Sequence, residues 1–142
     1  MQVKDVMTPR AIRVGPGEPV AVAARMLSRY NIGALPVCEE GGKILGMVTD
    51  RDLVLRCMAA NRNPEKVPVR DVMTTKVVTV NSETSLEEAG AKMAREQVRR
   101  LPVEKNGRLC GILSLGDLAN AHPYTMESAE ILTQISTGYT RR

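Results

Sequence analysis

The sequence predicts an α/β (α+β) fold made of two β-α-β-β-α units related by a pseudo-two-fold, followed by a short C-terminal helix. Three observations predict it. First, the chain states one pattern twice: Asp5-Val6-Met7-Thr8 returns as Asp71-Val72-Met73-Thr74, a shift of 71 − 5 = 66 positions, and the same shift carries Pro36-Val37 onto Pro102-Val103. Second, short β-rich runs alternate with segments of helical apolar spacing in both copies. Third, the two copies differ in length only where a turn is expected. Glu40-Gly41-Gly42-Lys43 is answered by Asn106-Gly107-Arg108, and beyond it Gly46 aligns with Gly111, a shift of 65. Turns tolerate a one-residue change, whereas in a strand it would turn every side chain to the other face.

Taken in order, Ala11-Ile12-Arg13-Val14 and its copy Lys76-Val77-Val78-Thr79-Val80 read as strands. Helices follow. In the first, Pro19 suits the first turn, where its missing N–H costs nothing. In the second, Thr84-Ser85-Leu86-Glu87 has capping-box spacing, with Thr84 as the cap. Val20, Ala23, Ala24 and Leu27, and in the copy Leu86, Ala89, Gly90 and Met93, recur at helical spacing. Ala34-Leu35-Pro36-Val37-Cys38 and Arg100-Leu101-Pro102-Val103-Glu104 are strands whose proline predicts an edge or a bulge, since it cannot donate to a ladder. Each forms a hairpin with the next run, residues 44–48 or 109–113. A second helix opens at Thr49 or Ser114 and carries Leu53, Val54 and Met58, or Leu115, Leu118 and Ala119. The units therefore span residues 1–60 and 69–121, with a polar, proline-bounded connector at 61–68. Residues 122–142 hold a helix over 126–136 and a tail, with Ile131, Leu132 and Ile135 on one helical face.

Composition narrows the function classes. The 142 residues are 43% apolar and 25% charged, with no Phe, no Trp and three Tyr, so the eight Met join Val, Leu, Ile and Ala in packing the core. No apolar run approaches the roughly 20 residues that span a bilayer. The repeat starts at once, leaving no room for a signal peptide, and Cys38, Cys57 and Cys110 share no metal-type spacing. A cytoplasmic protein with reduced thiols is expected. The net charge of +4 is spread along the chain, without stacking aromatics or a nucleic-acid motif, so nucleic acid is not the expected partner. His122 stands alone, which leaves a metal set or a Ser-His-Asp triad without its parts. Cys38 reads as a small packing residue beside a redox or metal alternative, and Cys110 as core.

The doubled unit resembles a tandem pair of cystathionine-β-synthase (CBS) domains, a Bateman module of the stand-alone bacterial type. Asp5-Val6-Met7-Thr8, Gly33-Ala34-Leu35-Pro36-Val37 and Gly46-Met47-Val48-Thr49-Asp50-Arg51-Asp52 carry the likeness, each with its copy, over roughly residues 1–120. The resemblance implies an adenosyl ligand (AMP, ADP, ATP or S-adenosylmethionine) acting as a regulator rather than a cofactor. It is bound through Gly-apolar-apolar-Ser/Thr-x-x-Asp. Gly46, Thr49 and Asp52 complete this motif in one copy, and Gly111, Ser114 and Asp117 in the other. A helix N-terminus offers N–H groups to a phosphate, a hydroxyl can join them, and a carboxylate one turn on can accept both ribose hydroxyls. The competing reading is a plain capping box.

The resemblance further implies two unequal clefts. One comprises Ser114, Asp117 and Ile112, with Met7, Thr8 and Ile12, an adenine wall of Ile32, Gly33 and Ala34, and Arg100 as the phosphate cation. The other comprises Thr49, Asp52 and Met47, with Met73, Thr74, Val78, Val98 and Arg99. It lacks the cation because Ala34 stands at the position of Arg100, a gap that Arg51 or Lys76 could fill. A homodimer and a separate effector protein are also implied. The expected function is a non-catalytic nucleotide sensor. The alternative is a ligand-independent dimerisation or protein-interaction module, and no nucleophile–base pair supports an enzyme.

Overall fold

The computed structural model describes residues 1–121. In chain order its elements are α1 (Val3–Val6), β1 (Thr8–Pro9), α2 (Val20–Tyr30), β2 (Ala34–Cys38), β3 (Ile44–Thr49), α3 (Asp50–Leu53), β4 (Val80–Asn81), α4 (Leu86–Glu96), β5 (Arg100–Lys105), β6 (Arg108–Ser114) and α5 (Leu115–Ala121). A π-helical turn, Val54–Met58, continues α3, and a 3-10 turn lies at Val69–Asp71. The expected helix over 126–136 and His122 fall outside the described residues.

The chain folds as two compact units that do not follow the repeat order: Ile12–Val77 forms one, and Met1–Ala11 joins the chain from Val78 onward in the other. In the latter, the sheet order is β1-β6-β5-β4, with β4 parallel to β5 and the other pairs antiparallel. The N-terminal arm is bound by its backbone. Val3 N–H donates to Thr84 O at 2.9 Å, Lys4 N–H to Ser82 O at 2.9 Å, and Thr8 sits opposite Ile112. Val3 is fully buried with Leu86, Ala89 and Met93 of α4 and with Leu101, Val103 and Leu113 of the sheet. The predicted period of α4 thus meets the alternate inward positions of β5 and β6.

The Ile12–Val77 unit repeats the plan. The β2–β3 hairpin is joined by a parallel bridge from Val14 to Val37, held by Val14 N–H to Pro36 O and Cys38 N–H to Val14 O, both 3.0 Å. Val20, Ala23 and Leu27 of α2 pack on Leu35, Val37 and Val48. The leading segment of the second repeat closes this unit: Val69 and Val72 are fully buried, and Met47 and Thr74 exchange two backbone hydrogen bonds of 2.9 and 2.8 Å. The connector is packed too. Val67 is buried and its carbonyl accepts Val20 N–H at 2.8 Å.

Several local expectations shift. The cap of α4 is Ser85, whose Oγ accepts Glu88 N–H at 3.2 Å, not Thr84, whose carbonyl holds Val3. Pro19 is the residue before α2 rather than its first member. The strands expected over 11–14 and 76–80 shrink to the Val14 bridge and to Val80–Asn81, because each finds only one neighbouring partner. Pro102 lies in an interior strand, yet β4 begins pairing only at Val103, so no neighbour asks for its missing N–H. The bulges fall one residue later, at Val37/Cys38 and Val103/Glu104. Ala24, Val54 and Met58 are exposed, and Cys110 is half-buried rather than core.

Candidate ligand-binding site

Each candidate motif sits where a hairpin strand turns into a short helix, and the sequence dictates how it closes. Ser114 Oγ accepts Asp117 N–H at 3.0 Å while Asp117 Oδ2 accepts Ser114 N–H at 2.8 Å. Thr49 and Asp52 make the same reciprocal pair at 3.0 Å each way. Both motifs are therefore capping boxes, and that role takes one carboxylate oxygen in each. The remaining oxygen separates the two. Asp117 Oδ1 has no hydrogen-bond partner among the described residues, and its side chain is half-exposed. Asp52 is only 8% exposed, and its Oδ1 accepts Thr74 Oγ1 at 3.3 Å with Arg56 Nε at 3.9 Å.

The backbone donors expected to meet a phosphate are largely engaged. Beside the two capping N–H groups, Leu115 N–H donates to Arg99 O at 2.8 Å and Asp50 N–H to Gly33 O at 3.1 Å. Anion binding near Asp117 must then rely on a side chain, and register supplies one. Arg100 is exposed and directly opposite Ser114 across the β5–β6 pair. Ala34 holds the matching place opposite Thr49.

The motif glycines answer to backbone packing. A Cβ on Gly111 would lie 2.6 Å from Met7 Sδ and 2.7 Å from Thr8 O, and one on Gly46 would lie 2.6 Å from Thr74 O and 2.9 Å from Met73 Sδ. Only a bare Cα lets the Met-Thr segments cross here.

The structure thus brings Ser114, Asp117, Ile112, Arg100, Met7 and Thr8 into one unit, and Thr49, Asp52, Met47, Met73 and Thr74 into the other. Ile12, Ile32, Gly33 and Ala34 belong to the Asp52 unit, where Ile12 and Ile32 pack against its core. Val78, Val98 and Arg99 belong to the Asp117 unit, where Val78 and Val98 flank the core. Arg56 escaped the sequence reading. Its signal was the i,i+4 spacing from Asp52, which puts both on one helical face. Arg51 and Lys76, the cations considered in its stead, are exposed. A cavity of about 300 Å³ bounded by Thr79, Asn81, Glu88, Lys92 and Glu104 contains none of the expected residues. Among the described residues no cluster of three metal-ligating side chains occurs, and no helix is long and apolar enough to cross a membrane.

The CBS domain family model matches the sequence twice, over residues 3–58 and 69–124. The chain belongs to the CBS-domain family, as a tandem pair. The CBS pair is 42% identical over 134 residues to CBS domain-containing protein YhcV of Bacillus subtilis, covering 94% of both chains. Its fold is similar to that of CBSX2 in complex with AMP, at a TM-score of 0.72 and 32% identity, covering 84% of this chain and 94% of that one. It is also similar to the CBS domain pair of protein MJ0100 in complex with 5-methylthioadenosine and S-adenosyl-L-methionine. There the TM-score is 0.71 and the identity 26%, covering 85% and 98% of the two chains.

Proposed function

We propose that this CBS pair is a non-catalytic regulatory module that binds an adenine nucleotide through Asp117. The observation that carries the reading is the half-exposed Asp117 carboxylate, whose Oδ1 is unengaged among the described residues while Oδ2 caps α5. Ribose hydroxyls donate to that oxygen, a charge-assisted bond stronger than a neutral one. Arg100, opposite Ser114, supplies the cation for the phosphate. Met7 and Ile112 present half-buried aliphatic surface beside the motif, suited to a base held by area rather than stacking. CBSX2 with AMP and the MJ0100 pair with S-adenosyl-L-methionine support the ligand class. Regulation follows if the ligand binds one arrangement of the chain better than another, with a separate protein reading the result.

One observation favours a ligand-independent interaction module instead: Val54, Leu55 and Met58 are 49%, 50% and 72% exposed. Thermal shift against AMP, ADP, ATP and S-adenosylmethionine separates the readings. The sensor gains about 2.7 kcal/mol at a ligand concentration one hundred times its dissociation constant. A melting point indifferent to all four leaves the interaction module.

A further inference from the structure

We propose that the Asp52 motif is held by the protein's own side chains and takes no nucleotide, so that each chain binds one. This rests on the reading of Asp117 as the ribose acceptor and asks why its repeat partner differs. An ionised carboxylate has about four acceptor positions. At Asp52 one is taken by Thr49 N–H, and Thr74 Oγ1 donates across both oxygens at 3.3 and 3.4 Å. The Arg56 guanidinium covers Oδ1, with Nε 3.9 Å away.

Arg56 is not free to turn toward a phosphate. Its Nη1 donates to Met73 O at 3.0 Å and to Val72 O at 3.3 Å, tying the π-helical turn to the segment that crosses Gly46. A ribose would have to displace Thr74 and Arg56 and leave two backbone carbonyls without this donor. Among the described residues neither obstacle stands at Asp117. The repeat position of Arg56 is Ala121 (56 + 65), and that of Thr74 is Thr8 (74 − 66), an exposed residue without a hydrogen bond to Asp117 among the described residues. Arg56 and Thr74 are therefore the residues that determine which motif is open.

Calorimetric titration with AMP tests this in two arms. In the first, Arg56→Gln with Thr74→Val is placed in an Asp117→Ala background. Thr74→Val keeps the side-chain shape and Arg56→Gln keeps a shorter polar side chain, and circular dichroism checks that the fold is retained. A site should appear that a further Asp52→Ala removes; no site in this variant overturns the inference. In the second arm, Asp52→Asn keeps the Thr49 and Thr74 partners of the native chain. One AMP per chain, unchanged by Asp52→Asn, supports the inference, and two per chain, or loss of a site on Asp52→Asn, overturns it. If the native chain binds no AMP, the Asp117 reading falls, and the first arm alone decides the role of Arg56 and Thr74.

Discussion

Replacing Gly111 by alanine tests whether the motif glycine serves the Met-Thr crossing. The added Cβ would stand 2.6 Å from Met7 Sδ and 2.7 Å from Thr8 O. Met7 Sδ can swing aside, but Thr8 O is backbone in a strand only two residues long, paired at Thr8↔Ile112 and Pro9↔Gly111. Relief must come by lifting β1 off β6. Overpacking of this kind costs about 1–3 kcal/mol. Giving up the pairing instead forfeits hydrogen bonds of about 1 kcal/mol each, so both routes lead to the same range. Gly46→Ala meets Thr74 O at 2.6 Å, where the Met47–Thr74 bonds of 2.9 and 2.8 Å are at stake, and should lose a similar amount. Urea denaturation reads the loss directly: with a slope of about 2 kcal/mol/M, a loss of 2 kcal/mol moves the midpoint by about 1 M. Gly107→Ala is a control for the added methyl in open space, although its φ of +76° carries its own strain. A Gly111→Ala midpoint equal to that of the native chain would refute the crossing as the reason for the glycine.

Other outcomes follow from the same geometry. Arg100→Ala should weaken AMP more than adenosine in calorimetric titration, since Arg100 faces Ser114 and its repeat counterpart is Ala34; equal losses would remove it from the phosphate. Ser85→Ala should cost about 1 kcal/mol of stability in urea, the usual loss of a helix cap, whereas Thr84→Ala should spare α4 because its carbonyl, not its side chain, is engaged. Burial pushes the Cys38 thiol up, only partly offset by Arg13. The folded chain then keeps that proton at pH values where the unfolded chain has released it, so stability falls as pH rises past the unfolded thiol's titration. Cys38→Ala should flatten that alkaline fall, and an unchanged slope would contradict it.

The fold was legible where local chemistry decides it. The doubled hydrophobic pattern locates α2 and α4, the β2–β3 and β5–β6 hairpins, and the glycine turns between their strands. What could not be read was non-local. Each hairpin is completed by a segment far away in the chain, Thr8 opposite Ile112 and Thr74 opposite Met47, and nothing near Met7 or Met73 announces that they cross Gly111 and Gly46. The candidate site shows the same division. Ser/Thr-x-x-Asp can be read as a cap or as a ribose acceptor, and one side chain does not have to choose, because a carboxylate has two oxygens. Burial and the second oxygen's partners decide, and both depend on tertiary packing: Thr74 reaches Asp52 across 22 positions of sequence. The Arg100 and Ala34 difference was visible in the repeat itself, and strand register turned it into a position opposite the motif hydroxyl.

The central claim, that Asp117 holds the nucleotide, is tested most directly by calorimetric titration of AMP into the native chain and into Asp117→Ala. Stability in urea is measured alongside, to set apart the loss of the α5 cap. The native chain should bind one AMP, and a folded Asp117→Ala should bind none. Undiminished binding by a folded Asp117→Ala would contradict the claim.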